Sequence, residues 1–290
     1  MKEDTHLKRI QIANDIMFYI YVHIDTDIKI DELSEMLGIS KFHMQRIFKE
    51  VFHRNIHESV KLIRLQKASN LLLTNRYATI SKIANLCGYS SQSSFIKAFK
   101  QRFSMTPTKW KEGGYLTYSS QILAHTNGQL FDTFDTLNLQ PTILKRPAIQ
   151  SYYIRNLSYN PSEITMAWQK LYAWVLENDI QRYEQIALFH DNPAITPLSS
   201  CQYVACIATP EKVESKRLPQ FEIAEGLYAQ FDIALKKGEI LSFIQWVYHR
   251  WLPKSDFFTS TKPSYAIYKK NGYVNKEKDF VLEFYLPIQF

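Results

Sequence analysis

The chain has 290 residues, 46% of them hydrophobic, enough for about two domains with packed cores. Its net charge of +7 lies entirely in one half: residues 1–115 carry 18 Lys and Arg against 11 Asp and Glu, whereas residues 116–290 carry 17 of each. This composition excludes a disordered chain, and with no stretch approaching 18 uninterrupted apolar residues it excludes a transmembrane helix; a basic module joined to a neutral one points to a polyanion-binding part and a part with another task.

The N-terminus, MKEDTHLKRI, is charged and lacks the apolar core of a secretion signal, so the expected location is the cytoplasm. Leu7 to Ile24 predicts a helix, with Ile10, Ala13, Met17, Ile20 and Ile24 on one stripe. Two similar segments follow. LSEMLGISKFHMQRIFKEVF runs from Leu33 to Phe52, and IANLCGYSSQSSFIKAFKQRF from Ile83 to Phe103. Each has a short apolar helix, a glycine turn and a second helix ending on a Phe. Gly38 and Gly88 are 50 residues apart, and Phe48 and Phe99 are 51 apart. The glycines supply the backbone freedom of a tight turn, and Ser40 and Ser91 are placed to cap the second helix of each pair. These are two helix-turn-helix units, about 31–52 and 80–103, each able to offer one helix to a major groove. A long helix over about 56–73 would join them rigidly. Pro107 ends the run, and the basic region closes at residue 112.

In the first of these helices Met44, Ile47, Phe48 and Val51 recur at helical spacing and define the buried face. Phe42, Gln45 and Arg46 fall on another face. Gln can pair both edges of adenine, Arg both acceptors of guanine, and an aromatic ring can pack on a thymine methyl, so these three are expected to read bases. In the second helix Phe95, Ala98, Phe99 and Phe103 point inward, leaving Gln92, Ser93 and Lys97 outward near its N-terminal half. Lys97 as a base reader and Lys97 as a phosphate contact stand as equal readings. Lys41, Lys49 and Lys100 are expected on phosphates.

CGYSSQSSFIKAFKQRFSMTPTKW resembles the signature of the AraC/XylS family of bacterial transcription regulators, and the resemblance extends over residues 7–112. Ile83-Ala84, Gly88-Tyr89, Phe95, Phe99-Lys100, Phe103, Thr106-Pro107 and Trp110 sit where the family pattern puts them. SKFHMQRIFK, Ser40 to Lys49, is similar to the first reading helix of small monomeric members. The resemblance implies two readers on one face of DNA, in major grooves about 34 Å apart. Two positions depart from the pattern: Ser104 and His53 stand where it has Gly, and a positive φ there costs about 1 kcal/mol more. Lys97 stands where relatives often carry Arg, which removes the bidentate fork and predicts blunter discrimination by the second helix.

Residues 113–140, with Gly-Gly, Ser-Ser and Asn-Gly pairs, read as a linker. From 141 to 290 the pattern changes. TILKRPAIQSYYIRNL alternates like a strand, Pro161 to Asn178 reads as a helix with Ile164, Trp168, Leu171 and Val175 inward, and QIALFHDN and CQYVACIAT read as strands. A second round begins at Phe221 with EIAEGLYAQFDIA, a helix stopping at Pro253, and the strands SYAIYKK and DFVLEFYLPI. The expected fold is multidomain: an all-α tandem helix-turn-helix domain, then an α+β domain of two strand-helix-strand-strand repeats sharing a sheet, with a cleft between the halves. Cys87, Cys201 and Cys206 form no CxxC pair and no metal spacing and are expected to fill core.

DNPAITPLSSCQYVAC and RWLPKSDF before KPSYAIY resemble the GyrI-like effector-binding domain, over about 141–290. Related domains often have a Glu two residues before the last Tyr that holds cationic ligands. Here that residue is Ala266, two before Tyr268, which removes the counter-charge for a cation and argues against hydrolytic members. The expected ligand residues are Tyr268, Tyr152, Trp168, Tyr203 and Trp246, an aromatic set suited to a flat or apolar molecule.

There is no GxGxxG, Walker loop, HExxH or nucleophile elbow, so no catalytic residue, metal or cofactor is expected and the protein is read as a non-enzyme. The expected function is a sequence-specific regulator of transcription, an activator, with double-stranded DNA, RNA polymerase and a small-molecule effector as partners and no membrane contact. The alternative is a DNA-binding regulator whose C-terminal half is a protein-interaction module without a ligand.

Overall fold

The structure, a computed structural model, describes residues 2–75, 77–123, 134, 139–213, 217–236, 238–275, 277 and 279–289. The chain forms two compact units, Met1–Tyr115 and Leu116–Phe290.

The first unit is helical: α1 (Lys2–Val22), α2 (Ile30–Met36), α3 (Lys41–Phe52), α4 (Ile56–Thr74), α5 (Ile80–Leu86) and α6 (Gln92–Phe103), then a short turn, α7 (Pro107–Lys109), that runs into a π-helical segment, Trp110–Gly114. The helices start where a side chain can take up a free backbone N–H. Ser40 accepts from the amide of His43, Thr79 from that of Lys82 and Ser91 from that of Ser94; Asn55 and Glu58 form a reciprocal capping box. Gly38 and Gly88 adopt φ of +64° and +71° at the two turns. His53 and Ser104, the two positions that lack the family glycine, adopt φ of +55° and +58°. The turns therefore keep the left-handed geometry and bear its strain. Ala13, Ile16, Met17, Ile20 and Ile24 of α1 and its exit pack with Met44, Ile47, Phe48 and Phe52 of α3. In the second pair Phe95, Phe99, Phe103 and Trp110 form a run of edge and tilted ring contacts between 4.5 and 5.7 Å.

Within residues 113–140, Tyr115–Leu123 forms a helix, α8; 124–133 and 135–138 lie outside the described residues. The buried Ser119 explains the order: its hydroxyl donates to the Ala194 carbonyl at 2.7 Å, and its own carbonyl accepts from Gln245 Nε2 at 3.0 Å.

The second unit contains β1 (Thr142–Arg146), β2 (Ile149–Asn156), α9 (Pro161–Glu177), β3 (Glu184–Phe189), β4 (Tyr203–Ala208), β5 (Gln220–Ile223), β6 (Gly226–Leu235), α10 (Glu239–Trp246), β7 (Phe258–Thr259), β8 (Ser264–Lys270) and β9 (Phe280–Gln289). Each round opens on two strands rather than the single strand expected. Pro147, without an N–H, separates β1 from β2, and Ala224-Glu225 separates β5 from β6. Strand, strand, helix, strand, strand describes the first round; the second has the same order with the two-residue β7, which pairs with β9 off the main path, inserted before β8. All pairings are antiparallel, and the order β1-β6-β9-β8-β3-β4-β2-β5 reads the same when the rounds are exchanged. A pseudo-twofold passes between β3 and β8, where Ala187 faces Ala266. Trp168 and Trp246 are each the eighth residue of their helices. Both helices pack on one face of the sheet, over Phe189, Tyr203, Phe231, Tyr268 and Phe284. On the other face Tyr265 stacks on Tyr285 at 4.6 Å, with the Arg146 guanidinium 5.1 Å from the Tyr285 ring. Among the described residues no helix is long and apolar enough to cross a membrane.

Candidate nucleic-acid interface and effector site

Helix α3 divides cleanly. Met44, Ile47, Phe48 and Phe52 are buried, while Lys41, Phe42, Gln45, Arg46 and Lys49 are exposed along the opposite side. Phe42 is 78% exposed. A large apolar ring held in water at a helix N-terminal turn has no packing role, and it lies one turn from Gln45 and Arg46.

Arg46 is held in place. Its Nη2 donates to His43 Nδ1 at 3.1 Å, and its Nε lies 3.8 Å from a Glu50 oxygen. Glu50 also accepts from Arg9 of α1 at 3.1 Å. Two arginines on two helices therefore share one carboxylate. Sequence reasoning missed Glu50, although its i+4 spacing from Arg46 was the available signal. Lys41 pairs with Asp31 of α2, so its charge is partly used within the protein.

On α6, Gln92, Ser93, Lys97 and Lys100 are exposed and Phe95, Phe99 and Phe103 are buried. The Ser93 hydroxyl lies 3.2 Å from Ser91 Oγ. Ser94 is exposed but its hydroxyl donates to the Ser91 carbonyl at 2.9 Å, so it serves the helix cap.

The five expected ligand residues fall into three places. Trp168, Tyr203 and Tyr268 come together: Trp168 Nε1 donates to the Tyr203 hydroxyl at 3.0 Å, and the Tyr203 and Tyr268 hydroxyls are 3.4 Å apart. The Trp168 and Tyr268 rings meet edge-on at 5.8 Å. Two further tyrosines that sequence reasoning missed complete the cluster, Tyr159 and Tyr273, with ring centroids 5.5 and 5.9 Å from Tyr203. Both lie in irregular segments, where no periodicity assigns a face. Burial pushes the Tyr159, Tyr203 and Tyr268 phenols well above their ordinary range, and neighbouring phenols add to the shift. All three are neutral at physiological pH. The Tyr159 hydroxyl is buried with no hydrogen-bond partner among the described residues. With Ala266 beside Tyr268 on the same strand face, the cluster offers aromatic surface and neutral hydrogen bonds without a carboxylate on that strand.

Tyr152 lies elsewhere, half-buried against Trp174 at 4.7 Å. Trp246 packs on Phe231 and Phe243 and lines a groove of about 620 Å³ with Trp251, Arg250 and Lys254.

Residues 139–289 match the family described as a GyrI-like small molecule binding domain, and residues 33–113 match a helix-turn-helix domain family. The chain is 36% identical over 105 residues to the probable transcription factor PqrA of Proteus vulgaris, covering 36% of this chain and 85% of that protein. It is 34% identical over 101 residues to the regulatory protein SoxS of Escherichia coli K12, covering 35% of this chain and 94% of that protein. It is 35% identical over 101 residues to the transcriptional regulator Rob of Salmonella typhimurium, covering 34% of each.

Proposed function

The chain belongs to the AraC/XylS family and carries a GyrI-like small-molecule-binding domain, and from that membership we propose that it is a cytoplasmic, sequence-specific activator of transcription whose second unit senses an uncharged aromatic or apolar effector. The observation that carries the DNA-reading part is the exposed face of α3, where Phe42, Gln45 and Arg46 stand free of the core, with Arg46 oriented by His43 and Glu50. These three read bases in one major groove. Gln92, Ser93 and Lys97 of α6 meet the next groove, and Lys41, Lys49 and Lys100 neutralise phosphates. RNA polymerase is the partner through which an activator of this design acts. Nothing in this function calls for catalysis.

The effector is held by Trp168, Tyr203 and Tyr268. Its polar group pairs with the Tyr159 hydroxyl, whose buried oxygen has no hydrogen-bond partner among the described residues. Tyr152, against Trp174, and Trp246, against Phe231 and Phe243, lie outside this cluster. The small-molecule-binding family of residues 139–289 favours an effector over a protein-interaction module without a ligand.

A thermal-shift panel of neutral aromatic, cationic aromatic and aliphatic compounds tests the sensor. Neutral aromatics are expected to raise the melting temperature of the wild type and to lose that effect in Tyr159→Phe. Stabilisation by cationic compounds alone, or none by any compound, contradicts it. Capture of genomic fragments at near-physiological salt, against excess random duplex, tests the reader: defined fragments retained by the wild type and lost by Arg46→Ala are the expected result.

A further inference from the structure

Helix α4 is shared by the two helix-turn-helix pairs, and it changes partner near one residue. Ile56, Val60 and Ile63 belong to the apolar cluster that holds α1 and α3. Further along, the Ser69 carbonyl accepts from Trp110 Nε1 at 3.2 Å, and Trp110 packs on Phe99 and Phe103 of the second pair. Lys61 Nζ also donates to Gln101 Oε1 of α6 at 2.7 Å.

Arg64 stands at this changeover. Its Nε donates to the Ile24 carbonyl at 2.9 Å and its Nη2 to the Thr26 carbonyl at 2.6 Å, both at the exit of α1 just ahead of α2. The guanidinium also lies against the turn of the second pair. A Cβ built on Gly88 would sit 2.8 Å from Nη2 and 2.9 Å from both Cζ and Nε. One planar group thus bonds the frame of the first reader and packs on the turn of the second. A side chain at position 88 would be strained by the φ of +71° and would press on this guanidinium. Lys67, whose side chain is 12% exposed, adds a 3.8 Å ion pair to Asp25 in the same loop.

We propose that Arg64 is a positioning residue that fixes the separation and angle of α3 and α6, so that the spacing of the two DNA half-sites is set by a guanidinium outside both reading helices. The proposal rests on the two-reader function above. Its physical basis is the fork: a guanidinium donates in two fixed directions while its face is covered, which a lysine ammonium on a flexible stem does not reproduce. A rigid connection makes the second half-site contact intramolecular at one spacing and penalises others; a loosened one spreads the effective concentration over several spacings.

The experiment measures full-length protein binding by fluorescence anisotropy to duplexes carrying the two half-sites selected by the wild type, at the selected spacing and with one base pair added or removed. Duplexes with a single half-site form the control. The wild type should lose about tenfold in affinity on a one-base-pair change. Arg64→Met should bind single half-sites within about twofold of the wild type while its spacing penalty falls to about threefold or less. An unchanged tenfold penalty in Arg64→Met overturns the proposal. If Arg64→Met loses helical circular dichroism, Arg64→Lys, which keeps charge and stem, decides by the same ratio: a reduced penalty supports the assignment and an unchanged one overturns it. A wild type that shows no spacing dependence overturns the two-reader function itself, in an arm separate from either variant.

Discussion

The indole of Trp168 donates to the hydroxyl of Tyr203 at 3.0 Å, and both groups are buried on the helix-covered face of the sheet. The bond ties the middle of α9 to the start of β4, and the Tyr268 hydroxyl 3.4 Å away brings in β8. Packing and polar satisfaction therefore coincide at the residues assigned to the effector. Tyr203→Phe keeps the ring but strands a buried indole N–H, which should destabilise the second unit by about 1–3 kcal/mol. A denaturant midpoint equal to that of the wild type would show that the N–H finds another acceptor.

A second prediction concerns pH. His249, in the π-helical continuation of α10 (Val247–Trp251), is pushed down to about 3 by burial, with the charge of Arg250 adding to the shift. In the folded protein this imidazole stays neutral, whereas in the unfolded chain it takes up a proton near 6.5. Its contribution to stability is present above pH 6.5 and is lost as pH falls towards 3. Urea midpoints measured across that interval should decline with falling pH, and His249→Gln should decline less steeply. Parallel profiles for the two proteins would refute the assignment.

The turns after the reading helices give a third test. His53 and Ser104 hold φ of +55° and +58° with no glycine to relieve them. Ser104→Gly should raise stability by roughly 0.5–1 kcal/mol, the left-handed strain removed less the entropy that glycine adds to the unfolded chain. Lowered stability would mean that the Ser104 side chain contributes more than its backbone strain costs.

These turns also show how far the sequence could be read. Repeated spacing places both glycine turns, both Ser caps and the inward Phe series, because each follows from local helix geometry. The outward face of α3 was legible for the same reason. The role of Arg64 was not: its carbonyl partners lie 40 and 38 positions earlier in the chain, and no periodic pattern records such a contact. Glu50 had a local signal, its i+4 relation to Arg46, but its link to Arg9 is tertiary. In the second unit the alternation of TILKRPAIQSYYIRNL concealed a break at Pro147: the inward positions shift by one residue, from Leu144 and Arg146 on β1 to Ile149, Ser151 and Tyr153 on β2, and the pairing partner changes from β6 to β4 and β5. Trp246 and Tyr152 have the residue type expected of a binding site but stand apart from the Trp168 cluster, a consequence of the pseudo-twofold that composition does not report.

Charge contacts on α3 separate into two classes by experiment. Arg46→Ala should cost about 1–3 kcal/mol and relax preference at one base pair. Glu50→Gln, by releasing the carboxylate that Arg46 and Arg9 share, should weaken the same base preference while leaving nonspecific binding intact. Lys41→Ala should instead lower the dependence of log affinity on log salt by about one unit or less, since Asp31 already pairs with this lysine. Equal loss on all sequences for Arg46→Ala would move it to the phosphate set.

One chain that reads two successive major grooves leaves a distinctive footprint. Selection of bound fragments from random duplex DNA by the full-length protein, at near-physiological salt, tests it most directly. The expected result is a two-part motif with centres about 10 base pairs apart. A one-part motif would contradict it, leaving α6 as a helix that positions the protein on phosphates without reading sequence.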